Sequence, residues 1–112
     1  MADPATALRD ARTRTARLVV ELTGVFDEIV DSSALANLDD EHDPEGATVA
    51  FERAQVSELL ERARAQLVEI DAAVARLERG RYGVCERCGA AIPAARLAAQ
   101  PATRTCVGCA AR

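Results

Sequence analysis

Apolar side chains recur along the first third of the chain at alternating three- and four-residue steps: Leu8, Ala11, Leu18, Leu22, Val25 and Ile29, with Thr15 holding one place and Val19, Phe26 and Val30 alongside. Such steps average the 3.5-residue repeat of a coiled-coil seam and predict one long amphipathic helix. Asp3 and Pro4 stand at its start. An Asp side chain accepts from the orphan N–H groups of a first helical turn, and Pro is tolerated there because its missing N–H would lack a partner anyway. Gly24 lies inside the pattern; it costs about 1 kcal/mol relative to Ala and does not break the period.

The period stops at Asp39-Asp40-Glu41-His42-Asp43-Pro44-Glu45-Gly46, where Pro and Gly punctuate five acids. A second seam then runs through Val49, Val56, Leu59, Ala63, Ile70, Ala73 and Leu77, with Leu60, Leu67 and Val74 beside it, and ends at Gly80. Gly is the usual residue just past a helix end. Two helices of about 30 to 35 residues joined by a short turn predict an antiparallel hairpin roughly 45 to 50 Å long at 1.5 Å per residue. A dimer of continuous helices is the competing arrangement, and the Pro and Gly between the seams count against it. The fold class expected is mainly α: an antiparallel coiled-coil helical hairpin over residues 1–80, with an acidic tip at 38–47, followed by a small four-cysteine zinc finger at 81–112.

Aromatic residues make up 3% of the chain and there is no Trp, so a large globular core is not expected to hold it together. No run approaches a membrane span, and the start lacks a basic segment followed by an apolar one, so a cytoplasmic protein with reduced thiols is expected. Net charge is −2 over residues 1–35, −6 over 36–80 and +4 over 81–112, and every basic residue is Arg. So acidic a body argues against DNA as the main partner.

All the cysteines fall near the end as two Cys-x-x-Cys pairs, Cys85/Cys88 and Cys106/Cys109, with 17 residues between. A two-residue gap lets one tight turn present two sulfurs to the same ion, and two such turns complete a tetrahedral four-thiolate zinc site. Gly89 and Gly108 supply residues that tolerate positive φ where the backbone wraps the metal. Two disulfides or a redox pair are the other uses of such cysteines, although no βαβ context surrounds them. Four cysteine ligands leave no open coordination position, so one structural zinc ion is expected. No nucleophile with a base, phosphate loop or pocket of paired carboxylates is legible, and an enzyme is not expected. His42, in the polar turn, reads as a solvated residue. Arg87, Arg96, Arg104 and Arg112 form either a solvated basic face or a protein-docking one; as a nucleic-acid surface they are thin, with only Tyr82 for stacking.

The run Arg81-Tyr82-Gly83-Val84-Cys85-Glu86-Arg87-Cys88-Gly89, followed by Ile92-Pro93, Arg96-Leu97, Ala99, Pro101 and Cys106-Val107-Gly108-Cys109, resembles the C4 zinc finger of the DksA/TraR family of bacterial transcription factors. A helical hairpin with an acidic tip just before the finger is similar to that family's architecture. The resemblance implies a protein that binds RNA polymerase directly, without sequence-specific DNA binding, by inserting its tip into the secondary channel to modulate initiation. It places the tip candidates at Asp40, Asp43, Glu45 and Ala47, in one of two registers: Glu45-Gly46-Ala47 as acid-x-Ala, or Asp40 and Asp43 with Glu45 where Ala is expected. With Ala110, Ala111 and Arg112 following Cys109, the C-terminal helix of larger members is not expected. The seams, buried inside one hairpin, favour a monomer. The rival reading is a zinc-finger adaptor whose coiled coil pairs with another helical protein.

Overall fold

The computed structural model describes residues 3–37 and 44–111. Two long helices, α1 (Pro4–Asn37) and α2 (Pro44–Glu78), form a hairpin, followed by two short helices, α3 (Ala94–Ala99) and α4 (Val107–Ala110). The predicted turn residues Asp40, His42 and Asp43 lie outside the described residues. Helix α1 begins as its sequence requires: the Thr6 N–H donates to Asp3 Oδ1 at 2.7 Å, and this hydrogen bond holds the Asp3 carboxyl below its ordinary pKa. Helix α2 ends in a Schellman motif. Gly80 sits at φ +73°, its N–H donates to the Leu77 carbonyl at 3.1 Å, and the Arg81 N–H reaches back to the Arg76 carbonyl at 2.8 Å.

The described chain forms two compact units. One is Thr15–Ala65. In it Val19, Leu22, Phe26 and Ile29 of α1 are half-buried, Leu60 and Ala63 of α2 are buried, and Val49 and Val56 are half-buried. The seam is the one expected, but its second line is shifted by one residue. Leu18, Val25 and Leu59 are 45%, 42% and 49% exposed, and their neighbours Val19, Phe26 and Leu60 take the inward places. Neighbouring helical residues point about 100° apart, so a 3.5-residue repeat leaves either of two adjacent side chains able to face the seam. On α1 Phe26 has more apolar surface to bury than Val25, and Val19 stands one heptad before Phe26, so Val19 takes the same line although Leu18 is the larger of its pair. The heptad successor decides on α2: seven residues beyond Leu60 is Leu67, whereas Leu59 is followed by Gln66. Inside the same unit the Thr23 hydroxyl donates to the Val19 carbonyl at 2.7 Å, which satisfies a polar group within the helix.

The other unit is Met1–Arg14 with Gln66–Arg112. Its core is Leu8 from α1, Ile70 and Ala73 from α2, and Ala102 from the loop after α3, ringed by Ala11, Val74, Leu77 and Tyr82. Tyr82 is anchored by its hydroxyl, which donates to the Pro101 carbonyl at 2.9 Å, so the one aromatic ring of the finger is a packing residue. A second cluster, Cys85, Ile92 and Cys109 with Leu97 and Cys106 against it, forms the interior of the finger. No strand occurs among the described residues; an isolated bridge pairs Val84 with Ala91.

Because Leu60 is 7% exposed and Leu59 is 49% exposed, Leu60→Ala is expected to destabilise the chain by about 2–4 kcal/mol and Leu59→Ala by less than about 1 kcal/mol in urea unfolding followed by circular dichroism. A larger effect of Leu59→Ala would mean that the seam takes the other phase.

Candidate metal centre

Each cysteine pair is presented by a short turn with its own backbone support. In the first, the Cys85 N–H donates to the Ala90 carbonyl at 2.8 Å, the Ile92 N–H to the Gly83 carbonyl at 2.8 Å and the Gly89 N–H back to the Cys85 carbonyl at 2.9 Å. Gly89 sits at φ +76°, the left-handed conformation that the tight turn needs. The second pair uses a different device. Cys106 precedes α4, the Ala110 N–H donates to the Cys106 carbonyl at 2.9 Å, and Cys109 lies in the helix. Gly108 therefore lies in α4 and is not among the positive-φ glycines, unlike the sequence-based expectation.

These turns bring the sulfurs of Cys85, Cys88, Cys106 and Cys109 within 4.8 Å of one another. Cys88 Sγ and Cys106 Sγ are 3.8 Å apart. A tetrahedron with metal–sulfur bonds of about 2.3 Å has edges of about 3.8 Å, so the spacing suits zinc. The cysteines are not paired in disulfides. Without a metal, N–H groups pointing at the sulfurs divide the protons unevenly. Donation from the Cys88 backbone, and then from that of Cys106, pulls the Cys85 thiol down to about 6. Cys106 is also lowered, chiefly by the Cys109 N–H, whereas Cys109 is pushed up to about 12 because its proton is shared with Cys106 and Cys85. Cys85 and Cys106 are thus disposed to be negative before the ion arrives, Cys109 is not, and a cation that replaces the remaining protons satisfies all the sulfurs together.

Arginines fasten the turns. Arg96 of α3 donates from Nε to the Thr105 carbonyl at 2.9 Å and from Nη2 to Thr103 Oγ1 at 3.2 Å, fixing the segment that leads into Cys106. Arg87 Nη1 donates to the Cys109 carbonyl at 3.3 Å, linking the first turn to the second. Arg104 makes a two-pronged pair with Glu69 of α2, at 2.6 Å from Nε and 3.2 Å from Nη2. Donation from Arg104 holds the Glu69 carboxyl below its ordinary range. Both partners are about two-fifths exposed, so the pair contributes no more than about 1 kcal/mol and acts mainly by fixing orientation. Arg76, in the last turn of α2, is 8% exposed and donates from Nη2 to the Ala102 carbonyl at 3.2 Å. Of the arginines expected to form an outward basic face, Arg87, Arg96 and Arg104 are therefore held within this unit.

The cysteines are brought together as the sequence required. Of the tip candidates, Asp40 and Asp43 lie outside the described residues, Glu45 falls in the first turn of α2, and Ala47 is exposed on that helix. Sequence reasoning missed Arg76 and Ala102. A charged residue near a helix end reads as solvated, and Ala102, in a loop, belongs to neither seam.

Fold and site together define a helical hairpin carrying a four-cysteine zinc finger with one zinc ion. Residues 80–112 match the sequence profile of the prokaryotic DksA/TraR C4-type zinc finger. The chain is also similar to the solved structure of transcription factor DksA2 from Pseudomonas aeruginosa, with a TM-score of 0.55 and 26% identity over 96% of this chain and 82% of that one. A 46-residue stretch is 56% identical to an uncharacterized protein of Aquifex aeolicus (strain VF5). That match takes in 41% of this chain and 32% of the relative, so the chain spans about a third of the relative's length. Among the described residues no helix is long and apolar enough to cross a membrane.

Zinc uptake by the metal-free chain is expected to release protons, because Cys109, pushed up to about 12, is a thiol across the neutral range and must lose its proton to bind. The apparent affinity should therefore rise with pH from 6 to 8, and fall more steeply below about 6, where Cys85 also takes up a proton. Chelator competition at several pH values measures this; an affinity independent of pH would contradict a thiolate site.

Proposed function

We propose that this chain is a bacterial transcription regulator that binds RNA polymerase directly and inserts the tip of its helical hairpin into the secondary channel to modulate initiation. The observation that carries this reading is the conjunction of a DksA/TraR-type finger at residues 80–112 with a likeness to the transcription factor DksA2 that extends over 96% of the chain. A finger alone is a portable module; a finger on the same helical platform supports a shared use. In this reading residues 1–80 are the hairpin, with its acidic tip at 38–47, and residues 81–112 the finger. Cys85, Cys88, Cys106 and Cys109 hold zinc, while Asp40, Asp43, Glu45 and Ala47 form the tip that works near the polymerase active centre.

The protein acts by binding, not by catalysis, as a monomer in the cytoplasm and without direct sequence-specific DNA contacts. The charge distribution supports this. The segment 36–80 carries a net charge of −6 and would be repelled by a phosphate backbone. A narrow channel that holds catalytic cations is a setting in which tip carboxylates have a strong effect.

The zinc-loaded chain and an Asp43→Arg/Glu45→Arg variant should both co-purify with bacterial RNA polymerase core. Only the native tip should alter single-round transcription, with the variant losing at least tenfold of the effect. Absence of binding at moderate salt would overturn the proposal and favour the helical adaptor.

A further inference from the structure

We propose that the junction between the end of α2 and the first cysteine turn is a binding site for a small phosphate dianion, free or esterified, that adjoins the metal centre at Cys85 and shares no residue with the tip. A cavity of about 350 Å³ lies there, lined by Arg76, Arg79, Arg81, Val84, Glu86 and Gly89 together with Cys85. Its volume is in the range of small-molecule sites. Three guanidinium groups share its wall with the Glu86 carboxylate and the Cys85 sulfur, a concentration of arginine in a chain whose overall charge is −4.

The arginines differ in their roles. Arg76 is a fixed charge: it is 8% exposed, its Nη2 is held by the Ala102 carbonyl at 3.2 Å, and its buried Nη1 has no hydrogen-bond partner. The Glu86 carboxylate stands 3.8 Å from that nitrogen and 3.6 Å from Arg104 Nη1, shared between two cations and at hydrogen-bond length to neither. A buried charge of this kind is screened less than one in water, so it projects a positive potential into the cavity from behind its wall. Arg79 and Arg81 are exposed, and among the described residues neither makes an ion pair. They supply free forks at the mouth, and the geometry of a guanidinium fork matches a phosphate.

The four-thiolate zinc site is itself dianionic, and its Cys85 lines the same cavity as Arg79 and Arg81. Two uses of Arg79 and Arg81 are thereby separable: offsetting the sulfurs, or holding an external anion. The experiment uses the zinc-loaded full chain, with zinc content and helicity checked in each variant. Arginine Nε–Hε resonances are followed by NMR as inorganic phosphate, and in a second arm methyl phosphate, is added against sodium chloride at equal ionic strength. The expected result is saturable shifts confined to Arg76, Arg79 and Arg81 with at least one phosphate species, and a tenfold or greater loss of affinity in the Arg79→Gln/Arg81→Gln variant. Response to methyl phosphate as well as phosphate identifies an esterified ligand, and response to phosphate alone a free one. Shifts equal to those with chloride, or a response that survives in the variant, would overturn the proposal, as would an Arg79→Gln/Arg81→Gln variant whose only change is weaker zinc binding. None of these readings depends on RNA polymerase, so failure here leaves the regulator reading standing.

Discussion

Four sulfurs that must sit at the corners of one small tetrahedron are the constraint on which the C-terminal third of this chain depends. The finger buries little else: Cys85, Ile92 and Cys109 are its interior. Burying one Ile is worth about 1.5–3 kcal/mol, whereas a structural zinc ion supplies on the order of 10 kcal/mol, so the metal outweighs the apolar contacts. The turns, bridge and short helices of this segment are what the backbone must do to bring Cys85 and Cys88 to Cys106 and Cys109. Their consequence reaches the long helices, because the loop between the cysteine pairs supplies Ala102 to the core formed by Leu8, Ile70 and Ala73. The finger is thus both a metal-held module and a lid on the end of the helical seam.

Arginine chemistry makes that lid specific. A guanidinium presents several donors in a fixed plane, which suits the capture of carbonyl oxygens that a loop leaves without partners. Arg96 takes the Thr105 carbonyl, Arg87 that of Cys109 and Arg76 that of Ala102. Within the finger, Arg87, Arg96 and Arg104 thus each have a partner inside this unit, whereas Arg81 is exposed. Arg79 and Arg81, exposed at the helix end, line a cavity with no ion pair among the described residues.

Much of this was legible in the sequence, because the relevant signals are local. A Cys-x-x-Cys spacing, an Asp-Pro helix start and a Gly stop each act within a few residues, and each is found where expected at Asp3, Gly80 and the four cysteines. What was not legible depends on which of two neighbours wins a shared space. Leu59 and Leu60 have the same side chain, and only the continuation to Leu67 and Ile70 decides between them. The pairing of Arg104 with Glu69 joins residues 35 apart in sequence, and no period in the chain announces it. Gly108 shows a related limit: its position in a Cys-x-x-Cys pair suggests a left-handed turn, but the second pair is built on a helix instead.

In the proposed function two tasks are separated along one chain, with the zinc finger at 81–112 as the platform and the tip at 38–47 as the acting part. The most direct test of this division is to replace Ala47 with a photo-crosslinking amino acid and irradiate the zinc-loaded chain with RNA polymerase core, mapping the linked residues by mass spectrometry. Insertion of the tip should give crosslinks to residues lining the secondary channel close to the active centre. Crosslinks confined to the outer surface of the polymerase, or none despite stable binding, would contradict insertion of the tip.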